Sequence, residues 1–359
     1  FILNLFFVDW LRKLKIGFAP LSENLGQQPG DRRRFLYYAK KRNINFEIAT
    51  VDSQYDVVIL TQAADHSHWI RRANSKTKYI FDFTDSYLAA DPYEIKSLAR
   101  GTAKYLSGQH KYFRPNFWKT LEDMCACSEA VICVTDEQAN SIRPFCNNIY
   151  QILDVHDEAI IDIKTDYSVG PVFNLIWEGF PVNLFPFFEI KEILSDIDQN
   201  SPIALHFVTD IQYFQYLNSY RKKNTIDLIN KIFHRSYLYQ WNVTTFSKIA
   251  KACDAAIIPL DLDYPLTKGK PENKLSLFWK LGLPTITSAS PACDRAMKKA
   301  GLNQACQNSK DWADQLEKLI NDKRYRETTG IGVREFAEKE YHTNKIIEQW
   351  DKIFINHFS

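Results

Sequence analysis

Along almost its whole length, this chain alternates short apolar runs, rich in β-branched residues, with longer segments of helical periodicity. That rhythm restricts the fold to the α/β class. The runs occupy 15–19, 46–49, 57–60, 79–83, 130–135 and 149–153, and then 173–177, 204–208, 236–239, 255–259 and 284–287. In the first series continuous apolarity, and not alternation, reads as parallel strands buried on both faces. Between the two series lies a polar stretch, 155–170, with Asp157, Glu158, Asp162, Lys164 and Asp166, which reads as a linker. A chain of 359 residues exceeds the roughly 250–300 at which single cores stop growing, so two α/β domains are expected, 1–155 and 156–342. From Ser309 onward the pattern is helical only, with Trp312, Leu316, Leu319 and Ile320, and later Ile346, Ile347, Trp350, Ile353 and Phe354, at helical spacing.

Composition closes off several function classes. Lys plus Arg (45) against Asp plus Glu (43) leaves a net charge of +2, which offers no global field for gripping nucleic acid, so no such partner is expected. The 7 cysteines are odd in number, sit mostly in apolar runs and form no Cys-x-x-Cys pair, so they read as reduced core thiols and no metal site is expected. A reduced compartment makes the acceptor pattern Asn242-Val-Thr244 a chance match and points to the cytoplasm. Residues 1–11 are strongly apolar but too short to span a bilayer, and Lys and Arg follow them instead of preceding them, so no signal peptide is expected there.

The most informative stretch runs from Asp254 through the strand ending at Pro259, across a polar loop to Lys270-Pro-Glu-Asn-Lys274, and on to Gly282-Leu-Pro-Thr-Ile-Thr-Ser288. A helix opening near Asn273 presents free N–H groups and the positive end of its dipole, and Lys274 adds a full charge: a place for phosphate. The alternative is that Asn273 only caps the helix and Lys274 is solvated. This order of strand, phosphate-facing helix and Gly-x-Pro-x-x-x-Ser turn resembles the nucleotide-sugar-binding half of GT-B glycosyltransferases, especially those like family four. The resemblance continues through 290–301, 311–325 and 336–350, and in the first half through 15–34 and 130–141. It implies a GT-B fold: two Rossmann-like parallel-sheet domains facing a central cleft, with an acceptor-side domain (1–155), a nucleotide-sugar-binding domain (156–342) and a terminal helix (343–359) crossing back to the first. In that family a Glu-x7-Glu pair straddles the helix, but here those positions hold Gly269 and Leu277. Glu272 lies nearby as a replacement for the first carboxylate, leaving ribose recognition to other residues.

Other loops at strand ends add candidates. Gly179, in Trp177-Glu-Gly-Phe-Pro181, allows close approach to a ligand or a tight turn, and Trp241 stacks on a base or belongs to the core. In the first half, Asp31, His66 and Asp85 are candidates for a general base on an acceptor hydroxyl. Asp31 is favoured because it stands where the helix after the first-strand loop begins; helix capping explains it equally well. Segment 95–121 contains Lys96, Arg100, Lys104, Lys111, Arg114 and Lys119, no acidic residue, and interleaved aromatics. Lys96, Arg100 and Lys104 share a helical face, read either as a surface for anionic membrane or a lipid-pyrophosphate acceptor, or as a solvated face over core aromatics.

The resulting expectation is a glycosyltransferase that moves a sugar from a nucleotide diphosphate donor to a glycan or lipid-linked acceptor, in the cytoplasm or at the inner membrane face. The nucleotide sugar is substrate, and neither a cofactor nor a metal is implied by the resemblance. Two rivals share the architecture: a nucleotide-sugar epimerase, and a catalytically silent nucleotide-sugar-binding module.

Overall fold

The computed structural model describes residues 2–73, 76–90, 95–216 and 220–358. They divide into two compact units: Phe1–Val155 with Lys268–Pro271 and Thr343–Ser359, and His156–Thr267 with Glu272–His342.

The first unit contains β1 (Ile16–Ala19), β2 (Glu47–Ile48), β3 (Val57–Thr61), β4 (Lys78–Asp82), β5 (Ala130–Cys133) and β6 (Ile149–Gln151). They form one parallel sheet in the order β2-β1-β3-β4-β5-β6, with Gly17 opposite Val58 and Ile59 opposite Ile80. The strand expected at 130–135 stops at Cys133, because Thr135 takes up the next helix: its side chain accepts from Gln138 N and caps Asp136–Ile142.

The second unit contains β7 (Phe173–Glu178), β8 (Ile203–Thr209), β9 (Gln212–Tyr216), β10 (Tyr220–Asn224), β11 (Ser236–Gln240), β12 (Ala255–Ile258), β13 (Thr285–Ser288) and β14 (Ala305–Cys306). Its main sheet runs β11-β8-β7-β12-β13-β14, all parallel. With β7, β8, β11, β12, β13 and β14 counted as first to sixth, the order is 3-2-1-4-5-6, that of the Rossmann fold. The antiparallel pair β9–β10 and the short β14 were not apparent from the apolar pattern.

In the inner strands alternate residues feed opposite cores, which is why those runs are mostly apolar, whereas the edge strands β2, β6 and β11 are exposed or half-buried. Phe173, Leu175 and Trp177 of β7 join Leu205, Phe207 and Ile257 on one face, while Ile176, Val208, Ala256 and Ile258 join Leu275, Phe278 and Trp279 on the other.

Stretch 155–170 is not a free linker. Its polar residues conceal anchors: Ala159 is buried, Lys164 N donates to Leu281 O (2.9 Å), and Tyr167 Oη donates to Gly282 O (2.9 Å). The expected terminal helices are present at Ser309–Asn321, Lys323–Glu340 and Thr343–Phe358. The last belongs to the first unit. Trp350 and Phe354 stack on Tyr38, and Asp351 accepts from Tyr38 Oη (2.9 Å) and from both Nε and Nη2 of Arg42.

Candidate functional site

In an open parallel sheet the ligand crevice lies at the carboxyl ends of the strands, where the strand order reverses. In the second unit that point falls between β7 and β12. After β7 the chain continues through Gly179, and after β12 through Pro259, where Leu260 N donates to Ser288 Oγ (2.8 Å) and ties the end of β12 to the end of β13. The helix following this loop is Asn273–Lys280, opening where the sequence placed it. Glu272 is its N-cap residue by backbone, with no side-chain cap bond; Ser276 N donates to Glu272 O (2.9 Å).

Lys274, in the first turn, reaches back to the switch point: its ammonium lies 4.8 Å from the centre of the Trp177 ring and against Gly179. A Cβ at position 179 would fall on Lys274 Nζ and 2.8 Å from the Trp177 ring, so glycine there is a requirement of close packing. Trp177 is itself buried, which fixes the platform under the lysine. Gly179 and Lys274 therefore meet at the switch point, the lysine coming from the first turn of the helix that opens at Asn273. Trp241 follows β11, donates its backbone N–H to Thr209 O (3.1 Å) and packs half-buried against the core beneath the helix.

The missing carboxylate pair has a physical reason. Leu277 is wholly buried among Phe278 and Leu275. Gly269 packs with the first unit, where a Cβ would fall on Ser86 Oγ and 2.7 Å from Ser86 Cβ, and its carbonyl accepts from Thr135 Oγ1 (3.3 Å). An acidic side chain at 269 would clash with Ser86, and one at 277 would be an unpaired charge buried in an apolar core. Glu272 stands near Tyr341 and Cys293.

In the first unit the order reverses between β1 and β3. The three candidate bases part company here. Asp31 does not cap a helix: the N-cap of Pro29–Arg32 is Gln28, and Asp31 Oδ1 instead accepts from Leu21 N (2.9 Å), clamping the loop after β1. Burial raises its pKa, against the lowering expected of a helix start, but at 1% exposure the carboxylate has no access to a substrate. His66 is wholly buried, with its ring edge on Phe81 and Nε2 3.3 Å from Gln62 O. Burial lowers its pKa to about 3, with His110 adding to the effect, so it is a neutral core histidine.

Asp85 is different. It is open to solvent on one side, yet sits in a recess crowded enough that burial raises its pKa. Gln62, at the end of β3, binds it reciprocally: Gln62 Nε2 donates to Asp85 Oδ2 (2.6 Å) and Asp85 N donates to Gln62 Oε1 (3.0 Å). Tyr87 also bonds the carboxylate, Arg100 Nη2 donates to Tyr87 Oη (2.9 Å), and Arg100 and Lys270 add positive charge. Gln62, Tyr87, Arg100 and Lys270 were not singled out as site residues; the position of Gln62 directly after an apolar strand was the available signal.

Beneath this recess Arg34 forks onto Asp82 at the end of β4 (Nη2–Oδ1 2.6 Å, Nε–Oδ2 2.9 Å), and its Nη1 donates to Ile152 O (2.7 Å) and Asp154 Oδ1 (3.1 Å). Burial opposes its charge, but the two carboxylates prevail and hold its pKa above the usual range.

Among the described residues no group of three or more His, Cys, Asp or Glu could hold a metal ion, and no helix is long and apolar enough to cross a membrane.

No protein-family model matches the chain, and no curated protein matches it. Solved structures do match, over most of its length. HepE from Anabaena, solved with UDP-glucose and with UDP and glucose, aligns at a TM-score of 0.63 and 11% identity over 96% of this chain and 100% of that one. Sucrose-phosphate synthase from Thermosynechococcus elongatus aligns at 0.55 and 12%, over 94% and 78%. TarM from S. aureus, solved with fondaparinux, α-GlcNAc-glycerol and UDP, aligns at 0.57 and 14%, over 89% of this chain and 58% of that one. The chain spans little more than half the length of TarM. These neighbours are GT-B glycosyltransferases, and the fold of this chain is GT-B.

Proposed function

We propose that this protein is a glycosyltransferase that takes a nucleotide diphosphate sugar on its second unit and passes the sugar to a glycan or lipid-linked acceptor held by its first. The observation that carries the reading is Lys274: its ammonium is held on the buried Trp177 ring, against Gly179, at the switch point of a 3-2-1-4-5-6 sheet. A diphosphate bound there meets a full positive charge and the first-turn amides of Asn273–Lys280, which stabilise the charge that grows on the leaving group. The neighbours solved with UDP or UDP-glucose support the choice of ligand class. Glu272, beside this helix start, is the carboxylate available near the donor.

Asp85 replaces Asp31 as the residue assigned to deprotonate the acceptor hydroxyl in an inverting transfer, since it alone of the three candidates combines access with a raised pKa. In a retaining transfer the donor phosphate takes that proton and Asp85 is not required. A second reading is favoured by one observation: Gly269 and Leu277 stand where a carboxylate pair is expected, and neither position admits one, as in a silent nucleotide-sugar-binding module. Calorimetry with nucleoside diphosphates of each base, followed by product analysis with and without acceptor, separates these readings. Transfer only with acceptor supports the transferase, an epimeric sugar without acceptor supports an epimerase, and binding without turnover supports the silent module.

A further inference from the structure

The helix Ile95–Leu106 is turned opposite to the usual way. Two of its basic residues lie over aromatic rings: the guanidinium of the exposed Arg100 is 4.5 Å from the Tyr87 ring centre and the ammonium of the half-buried Lys104 is 5.0 Å from that of Phe117. Ser97 is buried and bonds Asn116 Oδ1 (2.8 Å), and Gly101 lies against the carbonyls of Arg114 and Pro115. Arg100 and Lys104 are therefore tied to aromatic rings, Arg100 while staying exposed, and the side chain of Lys96 lies outside the described residues.

Apart from Arg100, what the described residues of the helix present to solvent is largely apolar. Ile95 is 83% exposed, Leu106 79%, Leu98 44% and Tyr105 43%, and the Tyr105 ring meets that of Phe113, itself 55% exposed, at 5.3 Å. Exposed side chains of this kind gathered in one place mark an interaction surface. Its flank is cationic: Arg71 stacks 3.6 Å over Tyr112, next to Phe113, and Lys111 lies 5.8 Å from the same ring. Segment 95–121 contains no Asp or Glu. A second copy pairing through this face would bring the same positive flank against itself, because a two-fold contact uses one patch twice.

We infer that this face docks on an anionic lipid surface, with Leu98, Leu106 and Phe113 entering the headgroup–acyl boundary and Arg71 and Lys111 meeting phosphate. The arrangement is that of an interfacial element held mainly by apolar burial. It is independent of the donor site, and holds whether or not the protein transfers a sugar.

The test is flotation of the full chain with vesicles of phosphatidylcholine containing phosphatidylserine as the minor lipid. Binding should survive a rise in salt from about 0.1 M to about 1 M, which cuts the screening length from ~10 to ~3 Å. The triple variant Leu98→Ser/Leu106→Ser/Phe113→Ser should lose binding at least about tenfold at an unchanged melting temperature, because exposed substitutions cost little stability. The single variant Leu106→Glu gives the same direction with less burden on folding. Absence of flotation by the parent overturns the inference. So does binding that salt abolishes while the serine variant keeps it, or a parent dimer that the serine variant converts to monomer without any vesicle binding.

Discussion

Replacing Lys274 by Met keeps the aliphatic stem over Trp177 and removes only the ammonium. In the free protein that ammonium is half-buried, 4.8 Å from the ring centre. A cation–π contact of this kind is worth about 0.5–1 kcal/mol, so the melting temperature should fall by no more than a few degrees. The effect on ligand should be larger. A hydrogen bond to a charged group contributes about 1.5–3 kcal/mol, equivalent to about 10- to 150-fold in Kd. The loss should appear with nucleoside diphosphates and be absent with the corresponding nucleosides, because the proposed site puts the diphosphate, and not the base and ribose, at Lys274. Calorimetry on parent and variant with both ligand series measures the split. Equal affinity of the two proteins for every diphosphate refutes the phosphate assignment, and an equal loss for nucleosides shows that the substitution disturbed the fold instead.

Asp85→Asn should lower kcat by about 10² or more, the scale of general-base catalysis, with diphosphate affinity unchanged; unchanged kcat with anomeric retention in the product removes Asp85 from the chemistry. Arg34→Met strands the Asp82 carboxylate, which is 4% exposed, and should destabilise the first unit by about 3–5 kcal/mol, read as a fall in urea midpoint. His66 and His110 are held neutral by burial, with pKa lowered to about 3 and about 4. In the unfolded chain they take up protons below the ordinary histidine range near 6.5, so each should remove at most about 1.4 kcal/mol of stability per pH unit as pH falls from about 6.5 towards 4. Asp31 and Asp85, raised by burial, act in the opposite sense just above the ordinary carboxylate range. His110→Phe should flatten the acid limb in melts across that window, and an unchanged limb would show that these imidazoles do not set it.

The α/β class, the parallel sheets and the terminal helices were legible in the residues themselves, because strands buried on both faces must be apolar at every position and helices must repeat every three to four. The helix start at Asn273 and the cation beside it were legible for the same reason: a local backbone geometry leaves its mark on neighbouring residues. Nothing local marks a contact between residues far apart in the chain. Only the tertiary structure sets Lys274 on Trp177 and against Gly179, nearly a hundred positions away, and only it pairs Gln62 with Asp85. It also reverses the sense of local cues. Asp31 has the spacing of a helix cap but bonds Leu21 N, because the loop after β1 folds back over it. Arg100 and Lys104 have the spacing of a solvated stripe but lie on Tyr87 and Phe117, because the helix that carries them is rotated so that its apolar side faces out. Periodicity establishes that a helix has two faces; which of them meets the core depends on the surfaces waiting there, and these come from distant parts of the chain.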